Sequence, residues 1–374
     1  MTLTPFDDYP IHQTTMPVAH RASGDRNHYD RYWFNGYDVG GEWFFAVAMG
    51  LYPNRRVIDG AFSVVRGGVQ RSVFASGRAP LDPAETRVGP ISVEVVQPLR
   101  TLRVRVDAGH LGIDADLVWH ARTIAVEEPR ITIEDGHVTI LDSTRLVQWG
   151  TWRGTIDVDG QRIEVAPDHT RGTRDRSWGI RPVGESPGGA PTSSLAGGGI
   201  FFLWAPINFE DDCTHAVVYE RPDGQRWYWS ALRVPVIGEA EPVFGTDETI
   251  RHASDVVYRI AYEPGTRRAR TASLVSSFTE ESSEELEFEP ILRFHMKGLG
   301  YWHPKWAHGV WQGERAEGAD EWRIDDLDPL DPANVHVEQL CRVRRGSAEG
   351  IGVLEQLVLG PHEPTGLEDF LDGG

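Results

Sequence analysis

Residues 154–165 read GTIDVDGQRIEV, and this stretch decides the fold class. Two short runs of alternating residues flank Asp159-Gly160, and an Asp-Gly pair supplies the positive φ angles of a tight hairpin turn. Further hairpin turns are predicted at Gly67-Gly68, Asp135-Gly136, Pro222-Asp223-Gly224 and Pro264-Gly265. Short strands at hairpin spacing, with long amphipathic helices scarce, predict an all-β protein made of sandwiches or barrels.

The length of 374 residues is large for a single core, so we expect two domains. Residues 182–199 are rich in Gly, Pro and Ser and are the best linker candidate. We therefore predict an N-terminal β domain over residues 1–185 and a C-terminal β domain over residues 186–374.

The net charge of −19 argues against nucleic-acid binding and against an anionic membrane surface, because both require a basic patch. The longest apolar runs, Trp43–Met49 and Ile200–Ile207, are too short to cross a bilayer. The first residues lack the pattern of a secretory leader. Cys213 and Cys341 are too few for a disulfide framework or a cysteine metal cluster. We expect a cytoplasmic protein without membrane insertion.

The sequence contains 13 tryptophans, which favours a cavity lined by aromatic rings, although ordinary core packing explains the count equally well. Trp33 lies in the aromatic cluster of residues 29–36. That cluster is too aromatic for an exposed loop, and it is interpreted either as a strand facing a cavity or as core.

Asp168–Ile180 (DHTRGTRDRSWGI) is the segment with the highest density of chemically active side chains. Asp175 is the candidate acid or base, since it lies between Arg174 and Arg176 and just before Trp178. A carboxylate between two guanidiniums normally stays ionised, and it becomes catalytic only if it is also buried beside apolar surface. The alternative is structural, with arginine and aspartate side chains tying down an irregular loop between domains.

A second cluster, residues 301–309, contains His303 and His308 and is preceded by His295. The five-residue spacing is not that of a helical metal pair, although a strand or turn would still bring the rings together. An aromatic and histidine cavity wall that includes Tyr301, or plain packing, is favoured over a metal site.

Glu355 interrupts the apolar pattern of residues 350–359. An acid in such a strand is either exposed at an edge or buried and paired. Pairing with an arginine of the central segment is one hypothesis for this residue.

The run Gly172–Gly179 is similar to the Gly-x-x-Tyr-x-Asp-His-Asn-Trp-Gly-like signature of carotenoid 1,2-hydratases (hydroxyneurosporene synthases) and the related AttH-like proteins. The closing run Gly350–Gly360 resembles that family's last strand, with Glu355 in the place of its acid. The departures from the signature are Thr173, Arg176 and Ser177. The resemblance implies two calycin- or lipocalin-like β domains with a hydrophobic ligand site near their junction. It gives Asp175 the role of protonating an alkene.

The leading hypothesis is a cofactor-independent hydratase or lyase, isomerase or cyclase that acts on a hydrophobic isoprenoid, steroid or polyphenol-like molecule. Asp175 would be its acid or base, with Glu355 and His169 as partners and no metal. Substrate contacts are expected from Arg174, Arg176, Trp178, Trp33, Tyr301 and His303. The alternatives are a non-catalytic lipocalin-like carrier of a hydrophobic ligand and a scaffold without a ligand.

Overall fold

The computed structural model describes residues 6, 9–186, 188–190, 199–245, 248–279 and 282–374. Within them the chain forms β-strands and short 3-10 turns, and no α-helix occurs in these ranges. The prediction of an all-β protein with two lipocalin-like units is confirmed.

The strands, in chain order, are β1 (His28–Asp38), β2 (Trp43–Tyr52), β3 (Val57–Arg66), β4 (Val69–Arg78), β5 (Arg87–Val88), β6 (Ile91–Gln97), β7 (Thr101–Ala108), β8 (Ile113–Ala121), β9 (Val126–Glu127), β10 (Ile131–Asp135), β11 (Val138–Val158), β12 (Gln161–Val165), β13 (Thr170–Ile180), β14 (Ile200–Asn208), β15 (Asp212–Glu220), β16 (Arg226–Pro235), β17 (Arg251–His252), β18 (Asp255–Tyr262), β19 (Ala269–Thr279), β20 (Ser282–His295), β21 (Arg315–Arg323), β22 (Val337–Arg345) and β23 (Ala348–Leu359). The 3-10 turns are Pro53–Arg55, Gly109–Leu111, Met296–Leu299, Ile324–Asp326 and Glu363–Thr365.

These strands form two antiparallel sheets. The first has 14 strands in the order β21-β4-β3-β2-β1-β13-β11-β8-β7-β6-β5, with β9, β10 and β12 also paired to β11, and it curls into a nearly closed barrel. The second has nine strands in the order β17-β16-β15-β14-β23-β22-β20-β19-β18 and forms a half-barrel.

The hairpin predicted for residues 154–165 is present. Val158 of β11 pairs with Gln161 of β12, which leaves Asp159 and Gly160 as a two-residue turn. Their φ angles are 47° and 78°, as the primed turns of tight hairpins require. Gly67 and Gly68 turn β3 into β4 in the same way.

Replacing Gly160 with alanine is expected to lower the free energy of unfolding by about 1 kcal/mol. An added Cβ would meet nothing within 4 Å, so the cost comes from the positive φ alone. Urea unfolding measures the change. Gly24→Ala is the matched control, because Gly24 also has open space around it but an ordinary φ. Equal losses in the two variants would contradict this explanation.

The core contains three large apolar clusters and a fourth small one made of Tyr29, Tyr52, Val57 and Val183. One apolar cluster lies within the first barrel and a second within the half-barrel. A third joins side chains of both sheets, among them Phe44 and Trp149 of the first and Trp204 and Leu340 of the second. The two β units therefore share a buried apolar interface.

The predicted domain boundary near residue 185 separates most strands of the two sheets, with one exception. β21 comes late in the chain but pairs along its whole length with β4 of the first sheet. The division into domains 1–185 and 186–374 stays a proposal. The predicted linker lies partly outside the described residues, which omit 187 and 191–198. Among the described residues, no helix has both the length and the hydropathy to span a bilayer.

Candidate functional site

A cavity of about 1320 Å³ lies between the two sheets. The first sheet contributes Arg31, Trp33, Arg145, Asp175 and Ser177 to its wall. The second sheet contributes Phe202, Trp204, Tyr219, Glu355 and Leu357. Residues 300–302 and 307–308, from the segment between β20 and β21, also line the cavity, as do Arg181 and His336.

Strand alternation and register place Asp175 in this wall. Successive side chains of a strand point to opposite faces, so Asp175 and Ser177 of β13 face the cavity together. Trp33 lies directly opposite Asp175 in the β1–β13 pair, and Trp204 lies opposite Glu355 in the β14–β23 pair. The rings of Trp33 and Trp204 meet edge to face, with centroids 5.6 Å apart.

The carboxyl group of Asp175 is sheltered from water. Its side chain is 16% exposed, and its Oδ1 atom has no hydrogen-bond partner within the described part of the chain. Burial raises the pKa of Asp175 to about 6; Arg145 opposes this rise, whereas Glu128 and Glu355 add to it. A carboxyl group with such a pKa can give or take a proton near neutral pH, as a general acid or base must.

Arg145 of β11 links Asp175 to a second buried carboxyl group. Its Nε atom lies 3.7 Å from Asp175 Oδ2 and 3.4 Å from Glu128 Oε2. The Glu128 side chain is fully buried, and its Oε2 atom lies 3.4 Å from the Tyr228 hydroxyl. A single guanidinium therefore faces two carboxyl groups.

Glu355 lines the wall formed by the second sheet, and its partner is a histidine. His336 Nε2 lies 2.6 Å from Glu355 Oε1, and Tyr301 packs its ring on His336 with centroids 4.8 Å apart. Glu338 lies opposite Glu355 in the β22–β23 pair and is completely buried, which raises its pKa well above the usual range. The hypothesis of an arginine partner from the central segment is not what is observed. The imidazole–carboxylate pair can relay a proton beside the cavity.

The two arginines that flank Asp175 point away from it. The Arg174 Nε atom donates to Gln148 Oε1 at 2.8 Å, and Arg176 forms an ion pair with Asp30 and lies over the Tyr32 ring. Trp178 is 40% exposed. The three side chains share the opposite face of β13, because the segment is a regular strand and not the irregular loop of the structural alternative. None of them lines the cavity.

Two predicted histidines also lie elsewhere. His169 sits in the exposed turn before β13 with its side chain 72% exposed, 3.6 Å from Asp168. His303 accepts backbone N–H groups of Lys305 and Trp306 at Nδ1, and its Nε2 atom lies 2.8 Å from Asp320. His303 therefore stabilises its own turn. Of the predicted site residues, the structure brings together Asp175, Glu355, Trp33 and Tyr301.

The described residues hold no group of three or more His, Cys, Asp or Glu side chains arranged to bind a metal ion. His295 and His303 have separate partners, since His295 Nδ1 lies 3.1 Å from the Asn334 carbonyl. His308 instead reaches the cavity.

Several cavity residues could not be identified from local sequence patterns. Arg31, Arg145 and His336 lie in or beside strand-like stretches and have polar residues within two positions, as many exposed strand residues do. They meet Asp175 and Glu355 only through strand pairing between distant segments. An arginine in a strand-like run does not by itself distinguish a side chain that faces a cavity from one that faces solvent.

Solved structures with the same fold show low sequence identity. Kievitone hydratase from Nectria haematococca matches with a TM-score of 0.53 and 12% identity, over 87% of this chain and 88% of that chain. A putative AttH from Nitrosomonas europaea matches with a TM-score of 0.52 and 14% identity, over 93% and 98%. These similarities show the fold, and they support the two-unit lipocalin-like arrangement that the sequence resemblance implied.

A search of curated protein sequences finds no match. A family model does match, and it covers residues 3–368, almost the whole chain. The chain belongs to the family described as "Family of unknown function (DUF8625)".

Proposed function

We propose that this protein catalyses proton-dependent chemistry at a carbon–carbon double bond of a hydrophobic small molecule held between its two sheets. Hydration, the reverse dehydration, isomerisation and cyclisation all begin with such a proton transfer. The observation that carries the proposal is the sheltered Asp175 carboxyl, with a pKa of about 6, facing an aromatic-lined cavity of about 1320 Å³. A hydratase with the same fold supports this reaction class.

In the hydration direction, protonated Asp175 gives its proton to one alkene carbon, and the π electrons form the new C–H bond. The adjacent carbon becomes a cation. Water then attacks that carbon through oxygen, and the proton it loses returns to the Asp175 carboxylate, either directly or by way of the His336–Glu355 pair. Alkene and water give an alcohol, and the enzyme ends in its starting state.

The aromatic rings have a defined part in this scheme. Trp33 is the cross-strand neighbour of Asp175, and Trp204 touches Trp33 from the other sheet. The π face of an indole stabilises a nearby cation by about 2 kcal/mol where water is excluded. The same rings provide apolar surface for an isoprenoid, steroid or polyphenol skeleton, which is the substrate class we propose.

Deuterium transfer tests the proposal directly. Purified protein is incubated in D₂O with a panel of isoprenoid, steroid and polyphenol alkenes, and the products are analysed by mass spectrometry. We expect at least one compound to gain carbon-bound deuterium, whether or not D₂O also adds across its double bond. Asp175→Asn is expected to abolish that gain. Asp168→Asn is the control, because Asp168 is an exposed acid in the turn before the same strand.

Compounds that bind tightly but never gain deuterium would support a carrier instead of an enzyme. Deuterium transfer at an equal rate in wild type and Asp175→Asn would remove Asp175 from the mechanism.

A further inference from the structure

Two arginines of the cavity wall have no carboxylate partner. Ion pairs join Arg145 to Asp175 and Glu128, but neither Arg31 nor Arg181 has a carboxylate oxygen within 4.0 Å in the described ranges. Both side chains line the cavity. Burying a guanidinium without a counter-charge costs desolvation free energy. Two such guanidiniums in one cavity therefore suggest that a ligand supplies the counter-charge.

Arg31 is the more deeply buried of the two, with 3% exposure. Its Nη1 atom donates to the Tyr301 hydroxyl at 2.6 Å, and its Nε atom has no acceptor among the residues described. Its Nη2 atom lies 3.3 Å from His308 Nε2. His308 Nε2 also lies 2.8 Å from the Leu299 carbonyl oxygen. It must carry a proton to donate to that carbonyl, and a protonated Nε2 has no lone pair that could accept from Arg31.

Arg181 follows the end of β13 and is partly buried. Its guanidinium lies 5.3 Å from the centroid of the Tyr29 ring. Among the described residues, none forms a hydrogen bond or an ion pair with the Arg181 side chain. Both guanidiniums line the same cavity as His308. Burial and then the charges of Arg31 and Arg181 lower the pKa of His308 well below its usual value.

The acids nearest to this region are engaged by other groups. Asp59 accepts the Gly309 N–H at 2.6 Å and the Tyr52 hydroxyl at 3.3 Å. Asp175 faces Arg145. Asp25, towards the opening of the cavity, accepts the Asn27 N–H at 2.7 Å. Neither arginine therefore has a carboxylate within ion-pair distance at this end of the cavity, although the Oδ1 atom of Asp175 also has no hydrogen-bond partner among the described residues.

We propose that Arg31 and Arg181, with the Tyr301 hydroxyl, bind an anionic oxygen group of the substrate, a carboxylate or a phosphate. This inference rests on the proposed function for the identity of the site and adds the substrate class: a hydrophobic skeleton with one acidic head. The Tyr301 hydroxyl accepts from Arg31, so its own proton is free to donate to the same group.

The arrangement also orients the substrate. Arg31 and Trp33 are two residues apart on one face of β1, which separates them by roughly 7 Å along the strand. Trp33 is the cross-strand neighbour of Asp175. A head group fixed at Arg31 therefore places a double bond a few carbon atoms away beside the acid and the indole rings.

Three ligands with the same farnesyl skeleton test the proposal by isothermal titration calorimetry at pH 7.5: farnesol, farnesoic acid and farnesyl monophosphate. Charge-assisted hydrogen bonds to a buried head group favour the anions, so at least one anion is expected to bind about tenfold more tightly than farnesol. Comparison of the two anions separates a carboxylate from a phosphate site. Arg181→Met, and separately Arg31→Met, should reduce the preference to about threefold or less while farnesol binding is retained.

Arg162→Met is the matched control, because Arg162 forms an exposed pair with Asp157 outside the cavity, and it should keep the preference. Circular dichroism checks that each variant is folded, and Arg181 tolerates replacement more easily because it is less buried. Equal binding of all three ligands by wild type, binding of none, or a preference that survives Arg181→Met would overturn the proposal. Binding is measured without turnover. If Asp175→Asn still prefers the anionic ligands over farnesol but no longer transfers deuterium, head-group binding and proton transfer are shown to depend on different residues.

Discussion

Replacement of Asp175 with asparagine is expected to lower the rate of the proton-transfer reaction by about 10²–10⁴-fold, the usual contribution of a positioned general acid. Asparagine has nearly the same shape, so the β13 strand and the cavity should be preserved. The amide cannot donate a proton with the pKa of about 6 that the buried carboxyl has. Steady-state kinetics on the substrate found by the deuterium screen measure the loss, and Asp168→Asn should leave the rate unchanged.

The pH profile of the wild type gives a second measure of the same role. If Asp175 acts as the acid, the rate should fall as pH rises through about 6, because the proton to be donated is lost there. In the direction that uses Asp175 as a base, the rate should instead rise through the same pH. A profile without a transition near 6 would contradict the assignment.

Stability should follow the same titration with a defined sign. The pKa of Asp175 is 3.8 in an ordinary setting and about 6 in the fold, so its contribution is fully present below pH about 4 and is lost as pH rises through 6. Asparagine does not titrate. The free energy of unfolding of wild type should therefore fall relative to that of Asp175→Asn between pH 4 and pH 7. The expected change is up to about 3 kcal/mol, measured by urea unfolding at each pH.

Replacement of Arg145 with methionine is expected to lower the free energy of unfolding by about 3–5 kcal/mol. Methionine fills much of the space of the arginine stem but leaves Glu128 and Asp175 facing each other without a cation. The Arg145 side chain is 15% exposed and that of Glu128 is fully buried, so solvent does little to screen them. Urea unfolding at pH 7 is the measurement, and adding Glu128→Gln should recover part of the loss.

Arg103→Met is the matched control for this prediction. Arg103 pairs with Asp116 at the surface, where both side chains keep a third or more of their exposure, and such pairs contribute less than about 1 kcal/mol. If Arg145→Met costs no more than Arg103→Met, the buried cluster is not held by its arginine. The substitution should also raise the pKa of Asp175, since Arg145 lowers it, and so move the transition of the pH–rate profile near pH 6 to higher pH.

The parts of the fold that depend on neighbouring residues were predictable. The turn at Asp159-Gly160 and the aromatic strand around Trp33 are local patterns, and both appear where they were expected. Asp175 was identified within its short motif and lies at the cavity. These predictions needed no knowledge of which strands pair.

The partners of Asp175 could not be predicted in the same way. Arg145 lies 30 positions earlier and reaches Asp175 only through the β11–β13 pair, and a one-residue shift in that register would turn it away. Arg174 and Arg176 were expected at the site because they adjoin Asp175 in sequence. In a strand, adjacency places side chains on opposite faces, so reading residues 170–180 as a strand would have excluded them.

The pairing of β21 with β4 has a consequence for biosynthesis. On the ribosome, the strands of the first sheet up to β13 emerge long before residues 315–323 are made, so the nascent barrel presents β4 as an open edge. An unpaired edge is a template for intermolecular association, and it persists until β21 has been synthesised. The first sheet therefore cannot be completed before β21 is available, which comes after β14 to β20 of the second sheet.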